Sequence, residues 1–438
     1  MARAISLDKD SVGKLILNFS IPAVTGMLVT ALYAIIDGIF IGQGAGADGL
    51  AALNIAYPIV NLGAALSLMF GTGGATLISL YPKNKRLQNK CFSYIVTLNI
   101  ISYFFLLLLV IIFNEKLMFM MGANENLLPL VKQYMYPCTF ALVFLMLANS
   151  LNAVVRNDKA PVYAFVSMVI GAVANTFLDW LFIMVFHWGV FGGAVATGIG
   201  QLLSLLFLIK YFYRVGSNFK YKFQRFQIGA IFKIFMIGFP SFIMEFAVAL
   251  TLVLFNKLFM EYSGEMGVSA FCIVAYVFYI FRMLFAGLGQ GIQPVISYNY
   301  GIKAMKRVKK ALKISQKTAF VLSIIILIWV IFFGKHLIKL FNDDLQLIAL
   351  ATHGLVLYCS AMIFLGINFV NISYLQSKGL TRYANFLSIL RSTVFVIIPL
   401  IILPKILGTN GIWLALPFSD FFTFLIGILV MKRAATNY

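Results

Sequence analysis

Charged residues are scarce in this sequence, and acidic residues and histidines are the scarcest among them. Of the 438 residues only 11% are charged; Asp and Glu together number 14, and His numbers 3. A soluble domain carries roughly 25% charged residues, so this composition excludes an ordinary soluble protein. The polar segments contain no His/Asp/Glu cluster, P-loop or nucleotide fingerprint. Their absence argues against a membrane-embedded enzyme and against energy from ATP bound on this chain.

Cysteine is equally scarce. The four cysteines, Cys91, Cys138, Cys272 and Cys359, lie in or beside apolar runs at unrelated spacings. We interpret them as small buried hydrophobic side chains rather than as metal ligands or disulfide partners. The first ten residues have mixed charge, and no short apolar segment with a small-residue cleavage site follows them. This pattern predicts an uncleaved first helix rather than a signal peptide.

Hydrophobic side chains, by contrast, are abundant. They make up 62% of the residues, and the mean hydropathy is +0.96. Apolar runs of about 20 residues recur along the chain, as transmembrane helices require, whereas a membrane β-barrel would show alternating segments of about ten residues. We therefore predict an all-α polytopic membrane protein. The formal net charge of +20 then requires no nucleic-acid partner.

Twelve apolar spans, numbered 1 to 12 in chain order, can be placed on the sequence. They cover approximately residues 12–41, 50–81, 89–113, 128–155, 161–186, 190–211, 230–257, 267–299, 309–333, 347–377, 383–404 and 408–431. If the N-terminus is inside, 26 of the 34 Lys and Arg residues fall in inner segments and 6 in outer segments, while Arg282 and Arg391 lie within spans. This alternation follows the positive-inside rule. It predicts a multi-pass protein of the cytoplasmic (inner) membrane with both termini in the cytoplasm and with anionic lipid near its basic inner face.

The two halves of the sequence match each other at a shift of 218 or 219 residues. The matches pair Pro22 with Pro240, Gly49 with Gly267, Gly71 with Gly289, and Gly189 with Gly408. Because six spans is an even number, both copies enter the membrane in the same direction, which is the parallel-repeat design of some transporters. We predict two pseudo-symmetric six-helix lobes, 1–218 and 219–438, joined by a linker at about 212–229. A seam between two such lobes suits transport by alternating access.

Two acidic residues lie deep within spans of the N-terminal half. Asp37 in span 1 follows Tyr33 by four residues, and Asp179 in span 5 follows Asn175 by four, so each pair shares a helix face. A charged residue at a helix centre costs roughly 2.5–3.5 kcal/mol on insertion scales. No Lys or Arg lies in the centres of these spans. Two nearby carboxylates without a cationic partner either share a proton or bind a metal cation with amide and hydroxyl oxygens. The alternative is that each acid is separately solvated in a water-filled cavity.

The C-terminal half contains two further acids within spans. Glu245, next to Met244, lies five residues after Pro240. Glu245 fits either a structural ion pair with Arg282 or Arg391 or a position facing a substrate cavity. We interpret Asp420 as a residue that holds the last helix in place through Arg391.

The residues just described carry a resemblance to a known family. The sequence resembles bacterial members of the multidrug and toxin extrusion (MATE) family, and is most similar to its DinF-like and MepA-like branches. Similar motifs lie at 21–42, 175–183, 289–301 and 411–420, and they include Tyr33, Asp37, Asn175, Asp179 and Asp420. The resemblance covers essentially the whole chain.

The resemblance implies a secondary active multidrug efflux transporter, an antiporter that exchanges H⁺ or Na⁺ for lipophilic, often cationic compounds. It implies a cation-coupling site formed by Tyr33, Asp37, Asn149, Asn175, Asp179 and Thr197. Na⁺, if used, would bind at Asp37, Asn175, Asp179 and Thr197. Pro22 would bend the first helix, and Glu245 and Met244 would line the substrate cavity. We expect no cofactor other than the coupling ion, and a monomer.

Three other functions compete with this one. A flippase for lipid-linked oligosaccharides, from the same superfamily, would prefer a cationic cavity for pyrophosphate. A major-facilitator transporter would carry an acidic and Arg-rich signature after span 2, where this sequence is purely basic. A membrane enzyme would need a catalytic cluster. The sequence alone does not choose between H⁺ and Na⁺, because both are bound by oxygen ligands.

Overall fold

The computed structural model describes residues 5–215, 217, 219–339, 341 and 344–436. Nearly all of this backbone is helical, and no strand occurs within it. The α-helices are α1 (Val12–Leu80), α2 (Lys85–Met120), α3 (Leu128–Asn157), α4 (Pro161–Asp179), α5 (Gly189–Lys210), α6 (Ile228–Gly301), α7 (Met305–Lys339), α8 (Leu345–Cys359), α9 (Met362–Ser377), α10 (Thr381–Ile389), α11 (Phe395–Leu407) and α12 (Thr409–Thr436). Segments Trp180–Val185, Tyr211–Val215 and Leu390–Val394 are π-helical. The predicted all-α class is confirmed.

Helices α1 and α6 each combine two predicted spans. Each is interrupted at one glycine, Gly46 (φ 67°, ψ −164°) in α1 and Gly264 (φ 62°, ψ −157°) in α6. This backbone region is essentially restricted to glycine. The two positions are 218 residues apart in the sequence and have nearly the same dihedral angles. The structure thus repeats the same turn at the same place in both halves.

The helices are long and apolar enough for a membrane protein. Among the described residues, nine helices could cross a membrane, or ten if α8 and α9, which meet at a bend of 41°, form one span. Because α1 and α6 each contain two helices, this number is compatible with the twelve predicted spans.

Short polar and proline signals fix where several helices begin. Asn84 caps α2 by accepting a hydrogen bond from Leu87 N at 3.0 Å, and Asp344 caps α8 by accepting one from Gln346 N at 2.8 Å. Pro161 is the first residue of α4, a position where its missing N–H has no cost. These signals mark the first residues of α2, α8 and α4.

The chain forms two compact units. The first contains Met1–Leu7 and Thr25–Glu245, and the second contains Asp8–Val24 and Phe246–Tyr438. Each unit therefore includes a helical segment from the other half of the sequence. The lobes 1–218 and 219–438, which we define by sequence symmetry rather than by contacts, stay a prediction. Residue 218 at their boundary lies outside the described residues.

Glycines allow close helix crossings inside each unit. In the first unit, a Cβ on Gly73 would approach Gly238 N to 3.0 Å. In the second, a Cβ on Gly291 would approach Ser20 Cα to 2.5 Å. The two pairs are related by the 218-residue shift, so the crossing is repeated along with the sequence. Only glycine lets two helix backbones approach this closely.

Candidate functional site

The candidate site lies entirely within the first unit. Helix α1 carries Tyr33 and Asp37 one turn apart, and α4 carries Asn175 and Asp179 one turn apart. The side chains of both acids and of Asn175 are buried; Asp37 is 8% exposed and Asp179 is 0% exposed. Asp179 is the last residue of α4 before the π-helical segment Trp180–Val185. Such π-helical turns occur frequently at functional sites.

The structure brings Asp37 and Asp179 together. Their carboxyl groups lie within hydrogen-bonding reach of each other. Two carboxyl groups can form a hydrogen bond only if one of them carries a proton. Both being ionised would place two like charges side by side in a buried environment, which is strongly unfavourable.

Several oxygens around the pair have no hydrogen-bond donor. Within the described part of the chain, this applies to Asp37 Oδ1, Asn175 Oδ1 and both carboxyl oxygens of Asp179. Buried polar atoms are normally satisfied. A shared proton would satisfy part of this set, and a hard cation with oxygen ligands would satisfy more of it. The set of oxygens therefore fits either a proton or a hard cation such as Na⁺.

Helix α5 contributes the hydroxyl group of the site. Asn175 Nδ2 donates a hydrogen bond to Thr197 Oγ1 at 3.3 Å, which orients the amide and directs its Oδ1 away from Thr197. Thr197 also lines a small cavity of about 40 Å³. A cavity needs roughly 10–15 Å³ of water-accessible volume to hold one water molecule. The cavity is therefore large enough to hold water beside Thr197.

Three polar residues at the site were missed by sequence reasoning. Gln201 lines the same cavity, and its Nε2 donates to Tyr33 OH at 3.5 Å. Tyr134 and Cys138 line it from α3, one turn apart. Gln201 follows Thr197 by four residues and so shares its helix face. That spacing was the available signal.

Asn149 has a different neighbour from the other predicted residues. Its Nδ2 donates to Ser67 Oγ at 3.2 Å. Ser150, the next residue, donates to Ser67 O at 2.7 Å and accepts a hydrogen bond from Asn99 Nδ2 at 2.9 Å. These contacts link α1, α2 and α3. The role of Asn149 in cation coupling stays a prediction.

Three further predicted residues lie close in sequence to the boundaries between the two units: Pro22, Met244 and Glu245. Pro22 lies within helix α1, in Asp8–Val24, which belongs to the second unit. Met244 and Glu245 lie at the end of the first unit and are half-buried. The backbone oxygen of Glu245 accepts a hydrogen bond from Asn61 Nδ2 at 3.4 Å. The bending role of Pro22 and the substrate role of Glu245 and Met244 stay predictions.

In the second unit, the buried acid Asp420 is paired with a cation. Arg391 Nε and Nη2 donate to Asp420 at 2.7 Å and 3.3 Å, and Asn368 Nδ2 donates to Asp420 Oδ1 at 3.0 Å. The predicted Arg391–Asp420 pair is confirmed. The ring of Phe369 lies 4.8 Å from the Arg391 guanidinium carbon, a distance typical of a cation–π contact. Here the carboxylate has a fixed cation, whereas Asp37 and Asp179 face each other.

Comparison with known proteins agrees with this architecture. The sequence model of a family described as MatE matches residues 22–181 and 240–402. The chain belongs to the MatE family. The two matched regions begin at Pro22 and Pro240, 218 residues apart, so the family match follows the internal repeat.

Two relatives match nearly the whole MatE chain. It is 26% identical over 432 residues to the multidrug export protein MepA of Staphylococcus saprophyticus subsp. saprophyticus, covering 97% of this chain and 94% of that protein. It is also 26% identical over 435 residues to MepA of Staphylococcus aureus (strain MSSA476), with the same coverage. The similarity therefore extends over both lobes rather than over one motif.

Solved structures share the fold. The MATE multidrug transporter DinF-BH, solved as a complex, has a TM-score of 0.90 and 26% identity, covering 99% of this chain and 98% of that one. A multidrug resistance MATE family transporter of the MOP superfamily in an outward-facing conformation has a TM-score of 0.88 and 20% identity, covering 100% and 99%. These similarities confirm the predicted transporter fold.

Proposed function

We propose that this protein is a multidrug efflux transporter that exchanges H⁺ or Na⁺ for lipophilic, often cationic compounds. It acts as a monomer in the cytoplasmic membrane, with both termini in the cytoplasm. The names of its relatives, multidrug export protein MepA and the multidrug transporter DinF-BH, support efflux of drugs. The coupling ion and the antiport mechanism are supported by the site in the first unit.

One observation carries the proposal: the adjacency of Asp37 and Asp179 in a buried site. The pair cannot hold two negative charges at low cost without a proton or a cation between them. Proton or Na⁺ release therefore changes the electrostatic free energy of the site by a large amount. A transporter can use that difference to favour one of two arrangements.

The coupling step acts through helix α1. Asp37 lies 15 residues after Pro22 on this helix, and proline is a common point of helix bending. When the acids lose their ion, their repulsion favours a shift of α1 relative to α4. The bend at Pro22 carries that shift toward the substrate cavity, so that ion and drug occupy the protein in alternation.

The alternative function, an oligosaccharide-lipid flippase, receives less support. A pyrophosphate group requires concentrated positive charge in the cavity. Of the two cations predicted within spans, Arg391 is neutralised by Asp420 in the second unit. The antiporter is therefore the function that the site favours.

The direct test is gradient-driven efflux with the two acids replaced. Purified protein in proteoliposomes is given a pH gradient or a Na⁺ gradient, and uptake of a fluorescent cationic drug is measured. Asp37→Asn and Asp179→Asn should each abolish gradient-driven transport, while the protein still inserts and binds drug. The gradient that drives the wild type identifies the coupling ion.

Asp48→Asn is the matched control, because Asp48 is an exposed acid of the same unit. It should transport like the wild type. Wild-type efflux by both site variants would refute the coupling site. Loss of transport in the control as well would show that the assay reports general damage rather than coupling.

The substrate role of Glu245 has a separate test. Glu245→Gln should weaken efflux of cationic drugs more than efflux of neutral ones, because only the cations gain from a nearby carboxylate. Equal losses for both classes would assign Glu245 a structural role.

A further inference from the structure

The connection between α5 and α6 is fastened to the side of α2. We call residues 219–227 the strap. Its backbone N–H groups at Lys220 and Lys222 donate to Asn89 Oδ1 and Ser93 Oγ, both at 3.1 Å. Asn89 and Ser93 are one turn apart on α2, and Lys220 and Lys222 are alternate residues of a segment without regular secondary structure. The strap therefore lies along one face of the helix.

Tyr94 fixes the far end of the strap. Its hydroxyl donates to Arg225 O at 2.8 Å and accepts from Gln227 N at 3.1 Å. Tyr94 is buried at 1% exposure, and its ring stacks on Phe226 with centroids 6.3 Å apart. At the near end, Phe219 is buried against Phe92. The strap is thus held by hydrogen bonds and ring contacts along its length.

The strap alternates basic and aromatic residues along its sequence. Lys220, Lys222 and Arg225 are exposed. Between them, Tyr221 is 49% exposed and Phe223 is 77% exposed. The hydroxyl of Tyr221 lies 3.4 Å from Thr97 Oγ1 of α2, which holds its ring beside that helix, whereas Phe223 is more exposed to solvent.

The chain segments next to the strap in sequence add positive charge and contain no acid. One acid from elsewhere, Asp158, contacts them by accepting a hydrogen bond from Tyr211 at 3.0 Å. Lys83, Lys85 and Arg86, at the start of α2, are also exposed. Residues 81–100 and 211–235 contain no Asp or Glu. These segments and the strap together therefore attract anions.

The strap lies where membrane helices end. The candidate spans Lys85–Met120, Gly189–Tyr213 and Ile228–Gly301 all have one end next to it. Aromatic side chains favour the headgroup level of a membrane, and clusters of Lys and Arg beside a membrane helix bind anionic lipid. An alternation of both residue types at this level fits a lipid headgroup, with phosphate on the cations and acyl carbons on the rings.

We propose that the strap is a binding site for anionic phospholipid headgroups at the membrane surface. Lys220, Lys222 and Arg225 contact the phosphates, and Phe223 inserts beside the acyl chains. The contacts with α2 hold the strap in this arrangement before lipid binds, which lowers the entropic cost of binding. The proposal does not depend on which ion or drug the protein transports.

The test measures lipid binding to the purified full-length protein. Native mass spectrometry in detergent counts bound phosphatidylglycerol and, separately, phosphatidylcholine with the same acyl chains. The wild type should retain phosphatidylglycerol preferentially. Each of three single variants should weaken phosphatidylglycerol binding by about fivefold. These variants are Lys220→Gln, Lys222→Gln and Arg225→Gln. Phosphatidylcholine binding should change little, and the backbone hydrogen bonds to α2 remain possible in every variant.

The matched control removes the same charge elsewhere. Lys306, Lys310 and Lys313 are exposed on α7, and replacing all three with Gln should leave the strap's preference unchanged. An equal loss in this control would refute the proposal in favour of general surface charge. Phe223→Ser should weaken binding of both lipids; an unchanged result would refute insertion of that ring.

A measurement on the wild type alone covers the case in which variants fail to fold. Raising the salt concentration from about 50 to about 500 mM should reduce the preference for phosphatidylglycerol, because salt screens exposed charges. A preference that is insensitive to salt, or no preference at low salt, would overturn the proposal.

Discussion

Arg391 and Asp420 form a buried ion pair between the π-helical segment Leu390–Val394 and α12. The Arg391 Nε–Asp420 Oδ1 distance is 2.7 Å, and the side chains are 9% and 0% exposed. At the 219-residue shift, Asp420 matches Gln201 and Asn368 matches Asn149. Asp420 and its partner Asn368 therefore correspond to two neutral residues in the other half of the repeat, where no acid occupies the position of Asp420.

Removing the cation of this pair should destabilise the protein strongly. Arg391→Met leaves the Asp420 carboxylate buried without a counterion, which typically costs about 3–5 kcal/mol. Unfolding of the purified protein, followed by thermal shift or by titration with a denaturing detergent, measures the loss. Glu115→Gln removes the exposed Lys132–Glu115 pair and should cost at most about 1 kcal/mol. Similar losses in both variants would contradict the structural role.

Thr197→Val should separate Na⁺ coupling from H⁺ coupling. Valine has nearly the shape of threonine but cannot supply an oxygen ligand or accept the hydrogen bond from Asn175. If Na⁺ is the coupling ion, half-maximal transport should require about tenfold more Na⁺ or higher, as for loss of a ligand-orienting group. Thr197→Ser keeps the hydroxyl and should retain near-normal affinity. A normal ion requirement in Thr197→Val would contradict direct ligation by Thr197.

Replacing Gly46 or Gly264 with alanine should destabilise the protein by similar amounts. Each adopts a backbone conformation that is essentially restricted to glycine, so Gly46→Ala and Gly264→Ala should each cost about 1–3 kcal/mol. Gly229 is the control, because nothing lies within 4 Å of a Cβ built there and its φ is not positive. Gly229→Ala should be neutral in the same unfolding assay. Tolerance of alanine at Gly46 would show that the turn can form with another backbone conformation.

Asp158 should make stability fall as the pH rises. It lies beyond the end of α3, where burial raises the pKa of its carboxyl group, and a hydrogen bond from Tyr211 at 3.0 Å opposes part of that shift. A carboxyl whose pKa is higher in the folded state favours folding when protonated. This stabilising contribution is fully present below the unfolded-state pKa of about 4. It is lost as the pH rises through the folded-state pKa.

Asp158→Asn should therefore remove the free-energy cost of burying the ionised carboxylate. The variant should gain stability relative to the wild type at about pH 7, and the difference should shrink at about pH 4, near the unfolded pKa, as measured by thermal unfolding at both values. A constant difference between Asp158→Asn and the wild type would contradict a buried, titrating carboxyl.

The architecture could be predicted because hydropathy and repetition are properties of local sequence. Apolar runs predicted the helices, and the 218-residue shift predicted the repeat that appears as matching turns at Gly46 and Gly264. The bend between α8 and α9 could not be predicted. It lies at Cys359 to Met362, in an apolar run without proline or glycine, and depends on packing.

The site could be predicted only where a residue type is unusual for its surroundings. Asp37 and Asp179 were conspicuous, because acids are costly within a membrane span. Tyr134 and Gln201 were not, since neutral polar residues are common in such helices. The π-helical turn after Asp179 also left no signal, because the shift from i→i+4 to i→i+5 bonding depends on tertiary contacts.

The assignment of Ile228 and the following residues up to Glu245 to the first unit has a consequence for biosynthesis. The crossing of Gly73 and Gly238 cannot form until the ribosome has translated well into the second half of the gene. The segment Asp8–Val24, although made first, must wait longer still for Gly291. A nascent chain stopped at residue 218 would therefore leave the first unit incomplete, and two separately expressed halves would have to exchange these segments to complete both units.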